Sequence, residues 1–164
     1  MLSETEIYLK LKAFLKNIGW QILGGQPPGG TNVIPLIELK DIAHKDKGSK
    51  GSKKIDLIAY KRPYFLLIEL KPALDQSDIE KLREVTSQNA WRKAFFVALD
   101  EKRVCPKEVN EERYVEDGEL LIKALGFNDG QGVGPSDFVT FLVAEEHVTV
   151  RVGRDLPSPF ERLF

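Results

Sequence analysis

The sequence predicts an α/β (α+β) domain with a mixed central sheet flanked by helices, and three features carry that prediction. An amphipathic helical pattern covers 3–18. Two apolar strand patterns follow each other over 54–60 and 64–71. A second helical pattern at 77–91 leads into a short apolar run at 94–99. Helix, strands, helix and strand in this order describe a layered domain. At 164 residues, with 42% hydrophobic and 30% charged residues, the chain can bury its own core.

In the first helix Ile7, Leu11, Phe14 and Ile18 recur at helical spacing, and Tyr8 and Leu15 widen the stripe. Ser3 followed by Glu6 is a capping-box pattern, and Gly19 is placed to stop the helix. On the wheel Glu4 shares the apolar face, whereas Glu6 points away. Residues 20–23 and 33–39 read as strands separated by a Gly/Pro loop over 24–30, and the Lys/Gly/Ser-rich stretch 43–52 reads as an exposed loop. Strands at 54–60 and 64–71 are joined by a tight turn at Lys61-Arg62-Pro63. The helix at 77–91 places Ile79, Leu82, Val85 and Thr86 on one face, and 94–99 is expected to be a buried strand. Beyond these, the pattern predicts a helix at 116–125 and a hairpin of 138–144 with 148–152 around Glu145-Glu146-His147.

Several function classes are disfavoured. No apolar run approaches the ~20 residues of a membrane span. The N-terminus shows no basic segment followed by an apolar one, so the expectation is a cytoplasmic protein without a membrane partner. Cys105 is the only cysteine, which excludes an internal disulfide and a cysteine-based zinc site. The net charge of -1 hides a basic stretch that includes Lys45, Lys47, Lys50, Lys53 and Lys54, and an acidic one from Glu108 to Glu119. Taken alone, such runs are solvated surface. Gly130-Gln-Gly-Val-Gly134 has no strand before it and Pro135 after it, so it reads as a loop.

Chemistry concentrates on the two central strands. Asp56, Ile58 and Tyr60 share a face, as do Phe65, Leu67, Glu69 and Lys71. If Tyr60 pairs with Phe65, Asp56 stands opposite Glu69, close enough for both carboxylates to meet one metal ion. A register shifted by one residue would put Asp56 behind the sheet. Facing carboxylates repel unless a cation compensates, and a hard ion such as Mg²⁺ takes a few carboxylates and keeps its waters. Lys71, on the same face, could position or deprotonate a water. The tripeptide itself is weak, since Glu38-Leu39-Lys40 repeats it without the facing aspartate.

Residues "EIYLKLKAFLKNIGW", "KKIDLIAY" and "FLLIELKPAL" resemble the PD-(D/E)XK nuclease superfamily, most of all the N-terminal nuclease domains of type I restriction enzyme R subunits and their standalone relatives. The resemblance implies a restriction-endonuclease-like αβββαβ core over 1–99; residues 100–164 lie outside it and are expected to form a C-terminal β-hairpin extension packed on the same domain. It implies Mg²⁺, with Mn²⁺ able to substitute, held by Asp56, Glu69 and the backbone carbonyl of Leu70. Lys71 would act on the water, Glu4 would match the first-helix acid of many members, and Gln88 is the candidate for a second-helix glutamine. The family's nominal motif proline is replaced by Ile55. The expected activity is hydrolysis of DNA phosphodiester bonds, restriction- or repair-type, with Lys45, Lys47, Lys50, Lys53 and Lys54 cradling phosphates. A homodimer or an ATPase/helicase subunit is the expected protein partner. Two alternatives remain: a non-catalytic nucleic-acid-binding or subunit-docking module of the same fold, and a nucleotide phosphohydrolase.

Overall fold

Ser3 starts the first helix through reciprocal bonds. Its Oγ accepts the Glu6 N–H at 3.2 Å, and Glu6 Oε2 accepts the Ser3 N–H at 2.7 Å. Helix α1, Glu4–Asn17, buries Ile7, Tyr8, Leu11 and Leu15, and the chain leaves it at Gly19 with φ +96°. These elements come from a computed structural model, which describes residues 1–26, 28, 34–41 and 51–164.

Strands β1 (Gln21–Gly24), β4 (Leu57–Lys61), β5 (Tyr64–Leu70), β6 (Leu121–Asn128), β7 (Val139–Val143) and β8 (Val148–Val152) form one six-stranded sheet in that spatial order. The pairs β5–β6 and β6–β7 are parallel and the rest antiparallel, so the sheet is mixed. Strands β2 (Glu38–Lys40) and β3 (Ser52–Lys54) pair as a separate two-stranded ribbon. Helices α2 (Gln76–Ser87), α3 (Asn89–Glu101) and α4 (Glu111–Glu116) make the crossover from β5 to β6.

Alternation along the strands builds two cores. Leu57, Ala59, Leu66 and Ile68 face α1, packing with Ile7, Leu11 and Leu15. Ile58, Tyr60, Phe65 and Leu67 face the opposite way, onto Ile79, Leu82, Val85, Phe95 and Leu99 of α2 and α3. The sheet is therefore sandwiched between helices on both faces. Among the described residues, no helix is long and apolar enough to cross a membrane.

Five expectations need correction. The strand expected over 33–39 is confined, among the described residues, to β2 at Glu38–Lys40 and an isolated bridge of Leu36 with Gly25. Residues 94–99 are helix, part of α3. Ala94, Phe95, Ala98 and Leu99 are buried at helical spacing, whereas Val97 is 41% exposed. The stretch 116–125 is the end of α4, a 3-10 turn at Gly118–Leu120 and the start of β6. Strand β6 lies between two neighbours with both faces largely covered, so it lacks the alternation that marks a strand. The helix over 77–91 breaks at Gln88, whose backbone is extended (φ -102°, ψ 125°). The strand over 54–60 is interrupted at Ile55 and Asp56, between β3 and β4. The C-terminal hairpin forms as predicted from β7 and β8, and β7 also pairs with β6 inside the main sheet.

Candidate active site

Strand β4 meets β5 in the register that opposes Tyr60 to Phe65, continuing to Leu57 opposite Ile68. Asp56 immediately precedes β4 and is locked to β5 by two hydrogen bonds. Its N–H donates to Glu69 Oε2 at 2.9 Å, and its Oδ2 accepts the N–H of Leu70 at 2.8 Å. From the other side, the N–H of Gln26 donates to the carbonyls of Ile55 (2.9 Å) and Asp56 (3.1 Å). The interruption of the strand is thus what frees Asp56 to turn its carboxylate toward β5.

Glu69 points to the same face as Phe65 and Leu67, the face that α2 covers, and is 2% exposed. Helix α2 begins at Asp75, whose Oδ1 accepts the Ser77 N–H at 2.8 Å. The helix then delivers two side chains to the carboxylates. Lys81 lies against Glu69 Oε1 as an ion pair and donates to the Lys54 carbonyl at 2.8 Å. Oε1 is buried, and this ammonium is its one partner among the described residues. Asp78, in the first turn, is 8% exposed.

Burial sets the electrostatics. Desolvation raises Asp56 above the usual carboxylate range, opposed by the Leu70 N–H and by Lys81 and Lys71. Burial likewise pushes Asp78 up to about 6; Lys71 opposes this, while Asp75, Asp56 and Glu4 add to it. Lys81 is lowered, chiefly by desolvation, with Asp56 opposing and Lys53 reinforcing. Asp78 therefore shares the field of Lys71, Asp56 and Glu4.

The expected site residues separate clearly. Asp56, Glu69 and the Leu70 N–H are brought together. Lys71 follows directly, its own N–H donating to the Gly126 carbonyl at 3.1 Å. Among the described residues it makes no ion pair within 4 Å, so its ammonium is not sequestered as that of Lys81 is. Glu4 comes from the helix on the opposite face and is half-buried, while Glu6 is exposed in its capping box. Gln88 is exposed at the junction of α2 and α3, where its carbonyl accepts the Arg92 N–H at 3.0 Å. Lys45, Lys47 and Lys50 lie outside the described residues. Lys53 is taken up by Glu84, at 3.1 Å, and stacks over Trp91; Lys54 is exposed.

Asp78 and Lys81 were not anticipated. The pattern held little signal for them: both are charged residues at the edge of the Ile79/Leu82/Val85 stripe, where side chains ordinarily reach solvent.

The donor set fits a hard divalent cation: one carboxylate just before β4 and one on β5, the latter with a buried oxygen that a cation already contacts. A second cluster does not fit. Asp100, Cys105 and Glu111 are the one His/Cys/Asp/Glu triplet among the described residues with ligand atoms within 4.8 Å of each other. Burial, aided by neighbouring acids, pushes the Cys105 thiol up to about 12. Burial and a hydrogen bond with Asp100 push Glu111 up to about 7. An un-ionised thiol and a carboxyl held toward its neutral form are poor ligands for a hard cation, even though Glu111 Oε1 is buried without a hydrogen bond among the described residues. Compared with protein-family models, curated proteins and solved structures, the chain matches none of them.

Proposed function

We propose that the chain is a metal-dependent nuclease of restriction-endonuclease-like fold, hydrolysing DNA phosphodiester bonds at Asp56, Glu69 and Lys71. The supporting observation is the pair of hydrogen bonds that ties Asp56, just before β4, to Glu69 and Leu70 of β5, with Lys71 directly after β5 and in no ion pair among the described residues. If the ribbon β2–β3 is set aside and α2, α3 and α4 are taken together as one crossover, the order up to β6 is compatible with an αβββαβ succession. Asp56 and Glu69, with the Leu70 carbonyl, would hold Mg²⁺ or Mn²⁺. The bound ion would act as a Lewis acid on the phosphate and acidify a water. Lys71 orients that water or withdraws its proton, and its charge stabilises the developing phosphorane oxygens. Glu4 on α1 adds negative charge to the field at Asp78.

A non-catalytic docking module is the second reading, and the Lys81–Glu69 pair favours it, because an acid already neutralised from within can serve as a structural salt bridge. Incubating plasmid DNA with the protein in Mg²⁺, Mn²⁺ or EDTA separates the two. Nicking that needs the ion and is absent from Glu69→Gln supports the nuclease, whereas a wild type inert under every condition favours docking.

A further inference from the structure

We propose that Lys81 is the resident counter-ion of the Asp56–Glu69 pair and must leave when a divalent cation enters, so that one side chain gates loading of the site. This rests on the reading of that pair as cation-holding.

The ammonium of Lys81 contacts Glu69 Oε1, a buried oxygen with no other partner among the described residues. A hard ion bonds a carboxylate oxygen at about 2.0–2.1 Å, and it cannot share Oε1 with an ammonium already in contact. Both would also carry positive charge into one pocket. Lys81 has somewhere to go: its side chain is 26% exposed, and its other bond is to a single carbonyl, that of Lys54 on β3. Lys71, two residues from Glu69, forms no comparable pair among the described residues and needs no displacement.

The thermodynamic consequence is linkage. Whatever the Lys81 contact contributes to the metal-free protein is subtracted from the affinity for the ion. Once expelled, the ammonium stands charged beside the site, where a phosphate oxyanion would give it a new partner. Cation and phosphate therefore bind with positive cooperativity that passes through Lys81.

The test is calorimetric titration of the full chain and of Lys81→Met with Mn²⁺, with and without inorganic phosphate. It is joined to amine-acylation labelling of wild-type Lys81, read by mass spectrometry in EDTA and in Mn²⁺. The expected results are roughly tenfold tighter Mn²⁺ binding in Lys81→Met, loss of the phosphate enhancement in that variant, and increased Lys81 labelling in Mn²⁺. Equal or weaker Mn²⁺ binding by a folded Lys81→Met overturns the gate and leaves the cation site standing. Should that variant fail to fold, labelling of the wild type decides, and labelling unchanged by Mn²⁺ overturns the gate. Absence of Mn²⁺ heat in both proteins overturns the cation site itself.

Discussion

Gly25 is packed so closely on Asp56 that a Cβ added to it would stand 2.3 Å from the Asp56 carbonyl oxygen. Its φ of +147° is likewise one that a larger residue adopts with strain. This contact presses the chain at Asp56 into the position from which its carboxylate reaches the Leu70 N–H.

Replacing Gly25 by Ala should therefore act on the site through the backbone. The expected cost is about 2–4 kcal/mol in stability, with a disproportionate loss of Mn²⁺ affinity compared with an equally destabilised core variant. Denaturant melts paired with calorimetry measure both. A variant of wild-type stability and wild-type metal binding would show that the clash is relieved elsewhere.

Asp56→Asn and Glu69→Gln remove the anionic oxygens a hard cation requires while nearly preserving shape. Both should abolish metal-dependent nicking. Like-charge repulsion between the two acids, expected from the sequence to make these variants as stable as wild type or more so, is offset by Lys81. Glu69→Gln should instead cost about 1–2 kcal/mol in EDTA, less than for a fully buried pair because the lysine can reach water. Urea midpoints in EDTA give the sign directly, and a stabilised Glu69→Gln would contradict the counter-ion role.

Lys71→Ala should separate binding from chemistry. Turnover is expected to fall by about 10²-fold or more, while Mn²⁺ affinity stays constant or rises as a nearby positive charge is lost. A parallel loss of metal binding would mean that Lys71 holds the site together instead of acting on water.

The Asp100–Glu111 pair predicts a pH dependence far from the site. Burial, then the Asp100 hydrogen bond, raises Glu111 from 4.5 to about 7 in the folded chain. A carboxyl raised on folding contributes stability fully below its unfolded value and loses it as pH rises through its folded value. This contribution is thus present near pH 4.5 and gone above about 7. For a partly exposed group its size is about 1 kcal/mol after solvent screening. Asp78 and Asp56 act in the same direction, so Glu111→Gln should reduce, not remove, the fall in urea midpoint between pH 5 and pH 8. An undiminished fall in that variant would rule out the pair as its source.

Sequence periodicity revealed the parts of the molecule where one face is wet. Strands β4 and β5, buried on both faces, stood out instead as apolar runs on either side of a short turn, and that turn sets their register, so Asp56 and Glu69 could be opposed on paper before any coordinates. Helix α1 announced itself through Ser3, Glu6 and its stripe. Where burial extends to both faces, or to most of a short run, the period disappears. Strand β6 was misread for this reason, and α3 because 94–99 is too short and too apolar to distinguish a strand from a buried helical turn. Asp78 and Lys81 escaped because their importance lies in tertiary placement: only the packing of α2 on the β5 face brings Lys81 to Glu69 and Asp78 into the field of Asp56.

The parallel pairing of β5 with β6 has a consequence for how the protein is born. On the ribosome, the strands bearing both carboxylates emerge well before Leu121–Asn128, the strand that covers the open edge of β5. Until the crossover of α2, α3 and α4 has been synthesised, the row of amides and carbonyls along Phe65–Leu70 has no partner and can template pairing with another nascent chain. Cutting the gene after codon 99 would make that interval permanent, ending within α3 and leaving Glu69 on an uncovered strand. Such a fragment is expected to collect in inclusion bodies, and co-expressing residues 100–164 as a separate chain should restore soluble material by supplying the missing strand.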